Sequence, residues 1–276
     1  MKYRDIAVIL SVVLLASAAV FAQPCTFKSS PMKAGEKIDE TSVLELNMVM
    51  HVDAQGKNVD VNIDNNDKYS RSMTVMEMFG NDISRFKIAY SEWSSSSKNP
   101  EGETINPGPE LNRSYIVYRT DSVMSIDAED EKPVSQEVRD VLMKELTKSD
   151  FSERMNKILD GRTMNIGDSL MIDKELAFTF LGKKGNEVKS FVIKLTAVKN
   201  VAGVSCGVFN SDISLASESG QLQMEFGLRG EFVVGINNCR PYEMVLEGPV
   251  SAAGQPQGIT IVGEGTMKGT KTMRYN

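Results

Sequence analysis

Between residues 44 and 64 the chain reads LELNMVMHVDAQGKNVDVNID, and apolar and polar residues alternate almost without a break. Leu44, Leu46, Met48, Met50 and Val52 fall on one face, and Val59, Val61 and Ile63 continue it after the DAQGK turn. A period of two marks a half-buried strand, and Gly56 suits the left-handed position of a hairpin loop. This predicts an opening hairpin, a turn at NNDKY (65–69) and a second hairpin about Gly80-Asn81. Residues 94–113, with four serines and three prolines, read as a long exposed loop, and SYIVYRTDSVMSI resumes the alternation.

The period then changes. Val134, Val138, Val141, Leu142 and Leu146 recur at helical spacing behind Ser135 as a cap. Phe151, Met155, Ile158 and Leu159 repeat the spacing, with Asp150 and Glu153 as a capping box and Gly161 as the stop. From MNIGDSLMI onward, including ELAFTFLGKKGNEVKSFVIKLTAVKN, strand patterning returns. Leu222, Met224, Phe226, Leu228, Phe232, Val234 and Ile236 share a face opposite Gln223, Glu225, Arg229 and Glu231. One wet face requires antiparallel pairing. The fold class is mainly β, a β-rich α+β chain. Two antiparallel meanders form a curved sheet or open half-barrel, with two short helices between them acting as lids.

Ahead of this lies MKYRDIAVILSVVLLASAAVFAQPC: a basic start, an apolar run and a Val20-Phe21-Ala22 cleavage pattern. It predicts a signal peptide over 1–22 and a β-rich domain over 23–276. That domain is either one unit or two lobes, about 26–130 and 163–276, joined by helices at 134–160. The protein is then exported, periplasmic or extracellular or held at a membrane, with no transmembrane segment after cleavage. Export permits disulfides. Cys25, Cys206 and Cys239 allow one bridge and one leftover thiol. The expected hairpin of 203–214 with 221–234 would set Cys206 opposite about position 229, well short of Cys239.

The stretches NIGDSL, VAGVSCGVF, YEMVLEGPVS and GITIVGEGTMKGTKTM resemble an uncharacterised family of exported bacterial β-rich proteins, a domain of unknown function. The resemblance implies an exported β-rich fold and brings no catalytic residues with it.

Composition narrows the chemistry. A net charge of −6 without a concentrated basic stripe excludes phosphate-backbone binding, so no nucleic-acid partner is expected. His51 is the single histidine, which removes the usual triads and zinc hydrolase sites, and it alternates onto the polar face. No charged residue interrupts an apolar face in a way that suggests a catalytic carboxylate pair. No cofactor is implied.

The eight apolar residues of the first hairpin are therefore the candidate site. Their face is read first as ordinary core of an exported non-enzymatic binding or structural protein, and in a more specific form as lining for an apolar small molecule such as lipid, with a cavity of at least ~300 Å3 between sheet and helices and the 94–113 loop at its mouth. An envelope protein is the other partner class. Two alternatives stand beside this carrier: an enzyme using paired carboxylates, and a copper protein using Met48/Met50 and Met76/Met78.

Overall fold

A computed structural model describes residues 24–276 other than 55, 121–122, 149–150 and 182–185, so the expected signal peptide and Asp150 lie outside the described residues. The fold is mainly β: 68% strand and 10% helix, built on a large antiparallel sheet that does not close. Strands β2 (Lys37–Ala54), β3 (Lys57–Phe79), β4 (Asp82–Asn99), β6 (Ser114–Thr120) and β7 (Val123–Ala128) form the first meander. Strands β9 (Ser169–Met171), β10 (Asn186–Val201), β11 (Val204–Ser219), β12 (Leu222–Gly235), β13 (Pro241–Gly254) and β14 (Thr260–Tyr275) form the second. The spatial order is β7-β6-β4-β3-β2-β14-β13-β12-β11-β10-β9. The two meanders thus become one sheet where β2 pairs with β14, from Ile38↔Tyr275 to Asp53↔Thr260. A two-residue β1 (Cys25–Thr26) pairs apart from it with β8 (Thr163–Met164).

The connection from edge strand β7 to edge strand β9 carries helices α1 (Gln136–Lys148) and α2 (Phe151–Leu159), and α3 (Lys174–Leu181) follows β9. All three pack on the apolar face of the sheet. Val134 before α1, with Leu142 and Leu146 on it, packs on Phe86, Ile88 and Tyr90 of β4 and Tyr115, Val117 and Ile126 beyond. Met155, Ile158 and Leu159 of α2 and Ala177 of α3 pack on Phe191, Leu195, Phe209, Ile213 and Phe232. Ser135 caps α1 through the amide of Val138 at 3.3 Å, as its spacing predicts.

Several expectations change. NNDKY is no turn: β3 runs unbroken through it, because β2 and β4 pair with it on both sides (Leu46↔Asn65, Asn65↔Ser97). Half of the 94–113 segment is strand, since β4 continues to Asn99 and returns as β5 (Gly102–Ile105). Its remainder is tied down: the amides of Asn106 and Asn112 donate to the carbonyls of Ser95 and Tyr90. ELAFTF forms α3 and not a strand, because Asp173 caps it by accepting from the amide of Glu175 at 2.9 Å.

The cysteine register also moves. The β11–β12 hairpin turns at Gly220-Gln221, so Cys206 stands opposite Gly235. Cys239 sits in the next turn in the core beneath α2, while Cys206 packs with Val233 and Tyr242. The two thiols are not bridged. Burial, with Glu243 nearby, pushes Cys206 up to about 11. Burial and Asp160 push Cys239 up to about 12. Neither is a ready nucleophile.

Glycine sets the close fit of β14 on β2. A Cβ at Gly265 would fall onto the Asn47 carbonyl oxygen and come within 2.8 Å of Met48 Cα, both backbone atoms. At Gly269 a Cβ would meet Leu44 Cδ1 alone, at 3.5 Å. Gly265→Ala is therefore expected to destabilise by about 1–3 kcal/mol through overpacking, whereas Gly269→Ala stays within about 0.5 kcal/mol of the parent. Urea denaturation midpoints of the two variants check this contrast.

Candidate functional site

The inner face of β2 carries Ile38, Glu40, Ser42, Leu44, Leu46, Met48, Met50 and Val52 in turn. Register places Met48 opposite Ile63, Met50 opposite Val61 and Val52 opposite Val59. The structure therefore gathers all eight predicted residues on one face. Met48 and Met50 are buried, packed with Val250 and Ala252 of β13 and flanked by Met224 and Phe226 of β12, a cluster made of strand residues alone. Leu46, Val52, Val61 and Ile63 are half-buried, and Leu44 and Val59 are exposed.

Among the described residues this face is an apolar strip along neighbouring strands. Between sheet and helices lie packed cores. A depression of about 300 Å3 is lined by Asn47, Val49, Asn62, Asp64, Glu264 and Thr266, whose positions alternate onto the other face, together with Met48 and Gly265. The methionine pairs separate as well. Met78 lies fifteen residues along β3 from Ile63, the partner of Met48, or ~50 Å at ~3.4 Å per residue. The two pairs share no site.

At the helix end of the strip, three charged side chains interrupt the apolar face, one carboxylate and two cations. Glu40 of β2 and Arg71 of β3 are paired across the ladder, and Lys271 of β14 reaches the same carboxylate. Arg71 donates to Glu40 Oε2 from Nη2 at 2.7 Å and from Nε at 3.0 Å. The Tyr69 hydroxyl donates to Oε1 at 2.7 Å, and Lys271 Nζ stands 2.5 Å from the same oxygen. Arg71 Nη1 donates to the Tyr90 hydroxyl at 3.2 Å. The guanidinium lies 5.0 Å from the Tyr69 ring centroid, and Tyr69 stacks on Trp93 at 6.2 Å. Loop glycine Gly108 is seated on that indole, where any Cβ would collide with the ring.

Burial alone would raise the Glu40 carboxyl, but the cations of Arg71 and Lys271, with hydrogen bonds from Lys271 and Tyr69, outweigh it and hold Glu40 at about 2. Burial, then Glu40, push the Tyr69 hydroxyl up. Glu40 is thus a permanent anion with its oxygens engaged, which unfits it as a general acid. The signal for the cluster is present in the sequence. Glu40 follows Ile38 by two, Arg71 lies between Tyr69 and Met73, and Lys271 lies before Met273, each in the phase of an apolar face. Starting that face at Leu44 hides it.

His51 lies on the outer face, exposed as expected, with its Nδ1 2.7 Å from Asp60 Oδ1. Among the described residues no group of three or more histidine, cysteine or carboxylate side chains is placed to hold a metal. No helix of the described residues is long and apolar enough to cross a membrane. The strands also run against the barrel pattern. Their outer face carries Lys37, Asp39, Glu45 and Asp53 of β2 and Gln223, Glu225, Arg229 and Glu231 of β12, where a bilayer-spanning barrel presents apolar side chains.

No family model matches the chain, and no curated protein does. Among solved structures, an outer-membrane channel from Pseudomonas putida is similar at 9% identity and a TM-score of 0.26, over 89% of this chain and 97% of that one. A DUF1329 family protein from Desulfovibrio piger is similar at 12% identity and a TM-score of 0.15, over 86% and 85%. The translocator domain of an autotransporter from Neisseria meningitidis is similar at 7% identity and a TM-score of 0.18, over 96% and 95%. Likenesses of this size leave location and function to be read from the residues of this chain.

Two outcomes follow for the charged cluster. Arg71→Met leaves Glu40 buried with Lys271 alone and is expected to destabilise by about 3–5 kcal/mol, read from the urea midpoint. Because the folded carboxyl lies below its ordinary 4.5, its contribution is complete above that pH and is lost as pH falls toward about 2. A Glu40→Gln variant is expected to show a shallower acid loss of stability through this window, measured by denaturation at stepped pH.

Proposed function

We propose that this protein is an exported, non-enzymatic carrier of a lipid-like ligand, working in the envelope or exterior of a bacterium. The observation that carries the reading is the apolar strip itself. Leu44, Leu46, Val52, Val59, Val61 and Ile63 continue the core face outward along two strands, and among the described residues Leu46, Val61 and Ile63 pack in a cluster of strand residues alone. Contiguous apolar surface that is half-buried or exposed along neighbouring strands marks a site of association. Methionines are suited to such a surface, because an unbranched thioether adapts to chains of differing shape. Met48, Met50, Met224 and Met267 all border this strip.

A closed pocket is not needed for this role. An acyl chain lying on an open strip exchanges its contact with water for contact with leucine and methionine, at roughly 25 cal/mol per Å2 covered. Export enters through the N-terminal pattern at 1–22, and the polar outer face suits a molecule that moves through water. The charged cluster supports a non-enzymatic reading, since its one carboxylate is held ionised and fully hydrogen-bonded.

The test is native mass spectrometry of protein purified from its own compartment, followed by solvent extraction. A retained lipid mass is expected, and Leu44→Asp with Leu46→Asp is expected to abolish it while leaving the β circular dichroism signal unchanged. A bare mass for the parent protein would overturn the carrier and leave a scaffold. A retained copper mass, lost on Met48→Leu with Met50→Leu, would replace it with the methionine metal site.

A further inference from the structure

At the end of the sheet remote from Glu40, the turns of the β2–β3, β11–β12 and β13–β14 hairpins lie side by side. Register sets Leu222, Gly254, Ile261, Val52 and Val59 in one row across five strands there. Val59 is exposed, and Leu222, Ile261 and Val52 are half-buried. This row is the outer limit of the apolar strip, since Val52 follows Met48 and Met50 on the inner face of β2. From Gly248 to Gly263, through the β13–β14 turn and both its flanks, the chain carries no charged residue, although 25% of its residues are charged.

The wet face changes character at the same place. Farther along β12 and β13 it carries Glu225, Arg229, Glu231 and Glu247. In its row nearest the β13–β14 turn, beside His51, stand Ala253 and Val262, both exposed, Val262 at 48%. The hairpin end is therefore apolar on both faces, with Ile261 on the inner side, Val262 on the outer, and Pro256 and Ile259 half-buried in the turn between. The turn is held by a short 3-10 helix, Pro256–Gly258, and the Ile259 amide donates to the Pro256 carbonyl at 3.0 Å. A docked protein would cover one face of such an end. Apolar side chains on both faces match surroundings that are apolar on every side. Beyond Val59 on the inner face stands the exposed Lys57, whose stem can lie along apolar surface while its ammonium stays at the level of phosphates.

We propose that the charge-free end of the β13–β14 hairpin is the edge by which this protein docks on a lipid bilayer. The inference rests on the carrier reading and adds the route by which the ligand is loaded. The tip enters the interfacial layer without burying a charge, whose desolvation would oppose entry. The row of Leu222, Ile261, Val52 and Val59 then meets the acyl region. From there a chain passes onto Met50 and Met48 along the strip without crossing water. The tip brings no charge of its own, so a zwitterionic surface is sufficient, and the strength of docking scales with the apolar area buried.

The experiment is flotation of the full exported chain with phosphatidylcholine vesicles, read as a partition coefficient, beside native mass spectrometry of the same preparations. The parent is expected to float. Val262→Asp places a charge at an exposed strand position, and Gln255→Glu with Gln257→Glu places two in the exposed turn. Each is expected to lower the partition coefficient at least ~10-fold while the retained lipid mass stays, because the strip is untouched. Should Val262→Asp fail to fold, the turn variant decides. Phe79→Ser, at an exposed hairpin tip on the opposite end of the sheet, is expected to change nothing. A parent that keeps its lipid mass and does not float would overturn the docking edge and leave the carrier standing. Flotation undiminished in both tip variants, or lost in Phe79→Ser, would also overturn it. So would a concentration-dependent dimer without vesicles that the tip variants abolish, since the edge would then join two copies. Flotation that the tip variants reduce, by a parent of bare mass, would overturn the carrier and keep the edge.

Discussion

The rest of the molecule depends on the pairing of its first long strand with its last. From Ile38↔Tyr275 to Asp53↔Thr260, β2 and β14 are hydrogen-bonded along the length of β14, and each is bonded again on its other side, to β3 and β13. Every other ladder of the large sheet apart from that of β4 with β6 joins neighbours in sequence, so this contact alone turns two meanders into one surface. It is also the costliest to form. Bringing together segments more than two hundred residues apart carries the largest loop-closure entropy in the chain.

The sequence shows how that cost is offset. Gly265 and Gly263 remove side chains from the inner face of β14, so that Met48 and Met50 of β2 lie close over it and reach Val250 and Ala252 beyond. At the other end of the same seam, Glu40 binds a cation from each flanking strand, Arg71 from β3 and Lys271 from β14. Apolar packing and a buried charge network therefore clamp the two ends of one strand pair. A misaligned register would leave Glu40 buried without its counter-ions, a heavy penalty in a low dielectric. The network thus specifies alignment as well as adding stability.

Much of this was legible in advance where a local rule governs. Alternation from Leu44 to Val52 located the inner face, Gly80-Asn81 located a tight turn, and Ser135 with its helical repeat located α1. The misses share a cause. Asn65, Asn66 and Asp67 are turn formers by composition, yet they lie mid-strand because β2 and β4 supply partners on both sides. Serines 94–97 look like a linker and instead pair with β3, where Ser95 Oγ donates to Asp67 Oδ1 at 2.5 Å. Glu40, Arg71 and Lys271 stand far apart in sequence, and only the long-range register brings them to one carboxylate. Local pattern reports which face a residue takes; it does not report what stands across from it.

A seam at the centre of a sheet, and not at its rim, also changes what a cut in the backbone would do. The hairpin tip at Gly80-Asn81 is exposed, and a protease severing it would divide the molecule into a small N-terminal piece and a large C-terminal one. The small piece would still carry β2 and β3, gripped by β14 on one flank and β4 on the other. The architecture therefore tolerates nicking at its tips: two pieces of chain would remain a single body.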